Sequence, residues 1–191
     1  MDDIVKKISD LVKQECVKDS NPYGFFGSWK HMNHVVRLAK DFAKDTGADE
    51  EIVVLAAWLH DWGAIQGFYK EHHTKGAIEA KDILYHLNYP IVKIDQITYC
   101  IYVHRSSQGI KPKTIEAECV ANADAVAHFL EIPDLLCYKY ANGDMTVDKV
   151  VVWLKQKLER DLGKITFDKA KEMVAPYQEA TEIILRNQSI I

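Results

Sequence analysis

Apolar residues recur at intervals of three and four along almost the whole chain, and this spacing limits the possible folds more than any other feature. Ile4, Ile8 and Leu11 share one face of a first helix, and Val147 and Val151 lie one turn apart on a later one. This is the period of an amphipathic helix, and we find no stretch with the alternation of a half-buried strand. The pattern therefore predicts an all-α fold.

Turn and capping residues divide the chain into eight predicted helices. Their ranges are about 4–17, 29–45, 49–61, 72–87, 91–105, 115–131, 147–162 and 167–188. Ser28, Thr114 and Thr146 are predicted to cap the helices that follow them. Pro176 should kink or split the last helix, because proline lacks the donor and clashes one turn back.

Length and composition limit the class of protein. The chain has 191 residues, a net charge of -4 and 48% hydrophobic residues, as expected for a globular protein rather than a dedicated nucleic-acid binder. No apolar run approaches 18 residues, and the N-terminus lacks the apolar core of a signal peptide. The four cysteines form no CxxC pair and are expected to be free, buried thiols in a reducing compartment. We expect a cytoplasmic protein with one domain over 1–191, a core at about 28–130 and a C-terminal helical hairpin at about 146–188.

Six ionisable residues lie on apolar helix faces or at helix ends, where burial is costly without a partner. They are His34, His60, Asp61, His73, His104 and Asp124. Taken singly, each histidine is explained more simply as a hydrogen-bonded core residue, and each aspartate as a cap or a partner of arginine. Their coincidence favours one shared site, because imidazole nitrogens and carboxylate oxygens together ligate divalent transition metals. Asp61 has two oxygens and could be shared by two ions.

The ordered set of His34, His60-Asp61 and Asp124 resembles the HD-domain superfamily of metal-dependent phosphohydrolases. "HVVRLA" is similar to the H-x-x-R-V/L segment of the first core helix of that family. "AAWLHDWG" resembles its HD helix end, and "ANADAV" the helix that carries its last aspartate. The resemblance covers about 28–130 and implies an HD-like helical bundle with the metal between core helices, ligated by these four residues.

Some members of that family bind a second ion through two histidines between the HD pair and the last aspartate. His73 and His104 match those positions, and His73 is preferred to His72 because of its spacing to the apolar residues that follow. The resemblance thus implies one or two divalent transition-metal ions, which could be Mn, Fe, Co, Ni or Zn. His31 stands where many members have an aspartate; a substrate contact and a role behind the ligands stay open, but we expect a surface residue.

The resemblance also implies the chemistry, which is hydrolysis of a phosphate ester or anhydride by attack of metal-bound hydroxide. The substrate would be a nucleotide or another small phosphorylated molecule. Asp61 and His60 are expected to be catalytic. Arg37, Lys75 and Arg105 are candidates for holding the substrate phosphate, with surface ion pairs as the alternative. The loop "SSQGIKPK" could form a lid over the site.

Two other functions remain open from the sequence. One is a two-iron HD-type oxygenase, which would use the same ligand set. The other is a catalytically inert metal-binding HD protein. We expect no nucleic-acid duplex and no membrane as partners, and the sequence leaves the oligomeric state open.

Overall fold

The computed structural model describes residues 2–105, 110–143 and 145–185, and these residues form ten helices. The helices are α1 (Asp2–Cys16), α2 (Gly24–Thr46), α3 (Glu50–Leu59), α4 (Trp62–Ile65), α5 (His72–His86), α6 (Ile91–Val103), α7 (Ile115–Leu130), α8 (Ile132–Ala141), α9 (Val147–Leu162) and α10 (Asp168–Leu185). None of the described residues belongs to a strand, which confirms the all-α prediction. Residues 106–109 of the predicted lid lie outside the described residues.

Two of the three predicted caps are present. The hydroxyls of Thr114 and Thr146 accept hydrogen bonds from backbone N–H groups three residues on, at the starts of α7 and α9. The prediction for Ser28 was wrong, because α2 already begins at Gly24. The Ser28 hydroxyl donates instead to the Gly24 carbonyl, 2.8 Å away and one turn back.

Two of the described helices, α4 and α8, were not predicted from the sequence. The four residues of α4 are too few to show a helical period. The other is α8, where Pro133 lies in the first turn and its missing N–H costs nothing. Pro176 does not split α10, which runs continuously through it. Pro176 and Glu172 are both exposed, so water can replace the bond that proline cannot make.

The core lies between α2, α3 and α7, which pack against one another. Every residue of α3 from Ile52 to Leu59 is buried, and α7 brings a row of small alanines to the same interior. The pair α5 and α6 packs beside α3, while α9 and α10 lie against α7. Three cysteines are free and buried, but Cys137 is exposed, contrary to expectation. No described helix has the length and hydropathy needed to cross a bilayer.

Candidate metal centre

Six histidine and aspartate side chains meet in two groups of three in the interior of the bundle. The first group is His31, His60 and Asp124, and the second is Asp61, His72 and His104. Within each group, one ligand atom from each residue lies within 4.8 Å of the others. Ligands bonded to one transition-metal ion at about 2 Å lie roughly 3 Å apart, so each group could close around one ion. Either group could thus hold a metal.

Asp61 connects the two groups because its two oxygens face different histidines. Its Oδ2 lies 3.8 Å from His31 Nε2 and 3.7 Å from His60 Nε2. Its Oδ1 lies 3.5 Å from His72 Nε2 and 3.7 Å from His104 Nε2. A carboxylate in this orientation could ligate one ion in each group. The shared carboxylate foreseen from the sequence therefore has the required geometry.

The four histidines all turn the same nitrogen towards the centre. The Nδ1 atoms of His60, His72 and His104 donate to the carbonyls three residues earlier, at 2.8, 2.7 and 2.6 Å. His31 Nδ1 lies 2.9 Å from a Glu131 oxygen. Carbonyl and carboxylate oxygens only accept, so each Nδ1 carries the proton and each Nε2 is left as the ligand atom.

This arrangement places Nε2 atoms against each other. The two Nε2 atoms are 3.3 Å apart between His31 and His60, and 3.2 Å apart between His72 and His104. With both Nδ1 atoms protonated, two neutral rings would direct lone pairs at each other, and neither could donate. A shared cation removes the conflict, which is the strongest sign in this structure that the residues fit a metal.

The helix ends explain why these residues converge. His60 is the C-cap of α3, and Asp61 follows it, so the HD pair emerges where the buried helix stops. A Cβ on Gly63 would lie 2.7 Å from the His72 carbonyl oxygen and 2.9 Å from His72 Cα. Such a contact is too short for any other residue type. Gly63 therefore allows α4 to touch the start of α5, and this approach brings His72 to Asp61.

Burial and charge shift the pKa values of the central groups in opposite directions. Burial lowers the pKa of His60 to about 4, so its ring is neutral and available as a ligand at neutral pH. Burial alone would raise the pKa of Asp61, but the surrounding imidazoles hold it well below its usual value. Burial alone would lower the pKa of His31, yet Glu131 and Asp124 raise it. Without a metal, a proton can therefore take the cation's place between His31 and His60.

The first histidine ligand predicted from the sequence, His34, lies outside both groups. Its Nδ1 contacts the other oxygen of Glu131 at 2.7 Å, and its side chain is 28% exposed. His31, expected at the surface, takes the central position and is 12% exposed. At about 100° per residue, His31 falls within the buried arc of α2, which extends from Leu38 to Ala43, whereas His34 lies about 40° beyond it. The H-x-x-R-V pattern also fits three residues earlier, from His31, with His34 in the place of the arginine.

Of the two neighbouring histidines of α5, the structure places His72 in the second group instead of the predicted His73. His72 faces Asp61, while the ring of His73 packs against Tyr102 with centroids 5.7 Å apart. The His73 Nδ1 atom is buried and has no hydrogen-bond partner among the described residues. Both histidines are buried, so spacing to later apolar residues could not separate them.

Of the three residues predicted to hold the substrate phosphate, one lines the cleft that leads to the two groups and two do not. Arg37 is exposed on the side of α2 away from the centre. Lys75 forms an ion pair with Glu79 at 3.1 Å and lies over the Phe68 ring. Neither residue lines the cleft that leads to the two groups, whereas Arg105 does. The Arg105 guanidinium donates to the Lys70 carbonyl and lies 6.0 Å from the centre of the Tyr69 ring.

A cleft of about 670 Å³ opens onto both groups. That volume is typical of sites for small molecules. Aromatic side chains form part of its wall, namely Tyr23, Tyr69, Tyr138 and Trp153. Basic side chains form another part, namely Arg105, Lys139, Lys157, Arg160 and Lys164. The cleft can thus offer stacking surfaces and positive charge next to a metal centre.

The residues that contact the candidate ligands and hold them in place were not predicted from the sequence. Glu131 is 5% exposed and holds both His31 and His34. His128 lies 3.4 Å from Asp124 and 3.1 Å from Asp161, and its ring stacks on that of His31. The signal for His128 was present, because it lies one turn after Asp124 on the same helix face. Glu131 gave no such signal, since it stands at a helix end.

A family comparison matches the HD domain over residues 28–128, which is more than half of the chain. The chain belongs to the HD domain family. Comparison with curated proteins gives no match. The matched region contains all six residues of the two groups. It ends before Glu131 and before the C-terminal helices.

Several solved structures share the fold of this HD protein. Bacillus subtilis YpgQ in complex with ADP has a TM-score of 0.70 and 19% identity, covering 97% of each chain. An HD-superfamily hydrolase from Bacillus thuringiensis has a TM-score of 0.71 and 18% identity, covering 97% of this chain and 94% of its own. A predicted HD superfamily hydrolase from an uncultured Thermotogales bacterium has a TM-score of 0.65 and 17% identity, covering 95% of this chain and 89% of its own. At these identities the likeness shows a common fold, which extends beyond the matched region to the C-terminal helices.

Proposed function

We propose that this HD protein is a metal-dependent phosphohydrolase that acts on a nucleotide or a similar small phosphorylated molecule. The observation that carries the proposal is Asp61, whose two oxygens face two histidine pairs at the inner end of a cleft. When divalent ions are bound, they supply water of lowered pKa and neutralise charge on a phosphate. The ligands we propose are those of the two groups, with His31 and His72 replacing His34 and His73.

The protein's own side chains would orient the substrate. Arg105 lies beside the second group, held by the Lys70 carbonyl, and its guanidinium can bind phosphate oxygens in pairs. Arg160 lines the cleft and forms no ion pair with any described residue, so its charge is available to a ligand. The rings of Tyr23 and Tyr138, with centroids 4.9 Å apart, offer a surface on which a base could stack. The ADP bound by YpgQ, which shares this fold, makes nucleotides the first substrates to test.

The test is a screen of nucleoside mono-, di- and triphosphates and simple phosphate esters, with metal-free protein and added Mn²⁺, Co²⁺ or Fe²⁺. We expect phosphate or pyrophosphate release that EDTA abolishes and added metal restores. Asp61→Ala should remove the activity and lower the metal content, while circular dichroism shows retained helices. The proposal fails if two ions bind and no phosphate product forms from any compound.

The same screen separates the two alternatives. A two-iron oxygenase would consume oxygen with Fe²⁺ and release no phosphate. An inert HD protein would do neither, with or without bound ions. The proposal that residues 1–191 form one domain is tested by limited proteolysis, which should give no stable fragment cut near 143–146.

A further inference from the structure

Lys164 is a buried lysine in the linker between α9 and α10. Its Nζ lies 2.8 Å from Asp124 Oδ2 and 3.2 Å from Asp161 Oδ1, and its side chain is 8% exposed. A buried ammonium is costly unless carboxylates compensate it. The two carboxylates within hydrogen-bond distance compensate the positive charge of this side chain. A positive charge thus contacts a proposed metal ligand.

The two oxygens of Asp124 have different partners. Oδ1 lies 3.5 Å from His31 Nε2 and 3.8 Å from His60 Nε2, towards the first group, and 3.4 Å from His128 Nε2. Oδ2 is occupied by Lys164. Asp61 differs, because both of its oxygens face histidine nitrogens. The first group therefore faces one oxygen of Asp124, which His128 also approaches, while the positive charge of Lys164 lies on the other oxygen.

The linker that carries Lys164 is fixed to α7 by Asn122. The Asn122 oxygen accepts from the backbone N–H groups of Thr166 and Phe167, at 2.9 and 3.1 Å. Its amide nitrogen donates to the Thr166 hydroxyl at 3.0 Å. Because Asn122 precedes Asp124 by two residues on α7, the same helix holds the ligand and the segment that restrains it. Lys164 itself lies beyond the matched region 28–128.

We propose that Lys164 is a positioning residue that confines Asp124 to one ligating oxygen and weakens metal binding at the His31–His60–Asp124 position. The inference depends on the proposed two-metal site. The hydrogen bond from Lys164 holds Oδ2, so Asp124 presents Oδ1 to the histidines of the first group. The charge of Lys164 also opposes a second cation on the same carboxylate, in an interior that screens charge weakly. The Asp61–His72–His104 position has no such lysine in contact with its carboxylate among the described residues.

The test isolates the His31–His60–Asp124 position by working with His72→Ala, which breaks the second group. Metal-free His72→Ala is titrated with Mn²⁺, and free Mn²⁺ is followed by electron paramagnetic resonance. Adding Lys164→Met should tighten Mn²⁺ binding about tenfold or more, as expected for loss of a neighbouring unit charge. The same change should lower the Tm of the metal-free protein, because Asp161 loses a partner. A lysine with a merely structural role would lower stability without tightening metal binding.

Lys157→Met is the matched control. Lys157 lies on α9 and contacts Asp161 at 3.3 Å, but it makes no contact with Asp124. Its removal should change Mn²⁺ affinity less than about threefold, since the lost charge is not on the ligand. Asp161→Asn should act in the opposite direction to Lys164→Met and weaken Mn²⁺ binding, because Lys164 then has Asp124 as its one carboxylate.

The outcomes separate the two proposals. If neither the parent protein nor His72→Ala binds Mn²⁺, the metal site itself is wrong. If His72→Ala binds one ion and Lys164→Met leaves the affinity unchanged or weaker, the role of Lys164 is wrong while the site stands. If Lys164→Met does not fold, Asp161→Asn decides, and an unchanged affinity in that variant overturns the inference.

Discussion

Gly63→Ala should damage the metal centre without touching a ligand. A Cβ at this position would lie 2.7 Å from the His72 carbonyl oxygen, about 0.7 Å short of the 3.4 Å at which ordinary contact begins. The opposing atoms are backbone atoms at the start of α5, which cannot rotate away, so α4 and α5 must separate. Overpacking of this kind typically costs about 1–3 kcal/mol. In a chain of this size that lowers Tm by roughly 2–12 °C.

The separation of α4 and α5 should also lower the affinity for the ion at the Asp61–His72–His104 position. Metal–ligand distances tolerate deviations of only about 0.2 Å, so moving His72 by several tenths of an ångström from Asp61 should weaken binding at that position about tenfold or more. Calorimetric titration with Mn²⁺ or Co²⁺ should then show lowered affinity at the His72 position and the parent affinity at the His31 position.

Gly27→Ala is the control for the glycine substitution itself. Gly27 lies in α2, and a Cβ there would meet one atom, Tyr23 Cβ, at 4.0 Å. This substitution should stabilise the protein by up to about 1 kcal/mol through helix propensity. The reasoning is refuted if Gly63→Ala is as stable as the parent and binds both ions with unchanged affinity.

Replacing single histidines should show which of them ligate the metal. His72→Ala should lose one equivalent of bound metal by elemental analysis, while His73→Ala should retain both; the reverse result would restore the sequence-based choice. In metal-free protein, His73→Phe should lessen the fall in Tm between pH 6.5 and 5, because burial lowers the pKa of His73 to about 4 and the unfolded chain takes up its proton first. Glu131→Gln should weaken metal binding at the His31 position about 10–100-fold by loosening the ring of His31; an unchanged dissociation constant would show that Glu131 does not orient this ligand.

The sequence was sufficient for the fold class, for eight of the ten described helices and for four of the six central residues. His60, Asp61, His104 and Asp124 lie at helix ends or on fully buried faces, where position along the chain determines direction. Helical spacing locates a face to within about one residue on either side, because successive residues are 100° apart. That resolution could not separate His72 from His73.

The placement of His34 outside the two groups has a different physical cause. His31 and His34 lie one turn apart, and both contact the same carboxylate, Glu131. Which of them enters the centre depends on how α2 is rotated against α7, and this rotation follows from packing between distant parts of the chain. The supporting residues Glu131, Asp161 and Lys164 come from beyond the helix of the last aspartate, so no local pattern connects them to the centre.

The hydrogen bonds to the Nδ1 atoms of the four histidines also determine which substitutions can disturb the centre. Three of the four imidazoles are steered by main-chain carbonyls of Ala57, Tyr69 and Ile101. Because every amino acid supplies the same carbonyl, a change of side chain there keeps the hydrogen-bond acceptor, and core packing is what restricts Ala57 and Ile101. His31 depends on the carboxylate of Glu131, so a single codon change far along the chain can misdirect it. Natural substitutions that change metal affinity and leave the other ligands in place should therefore occur mainly at His31 and Glu131.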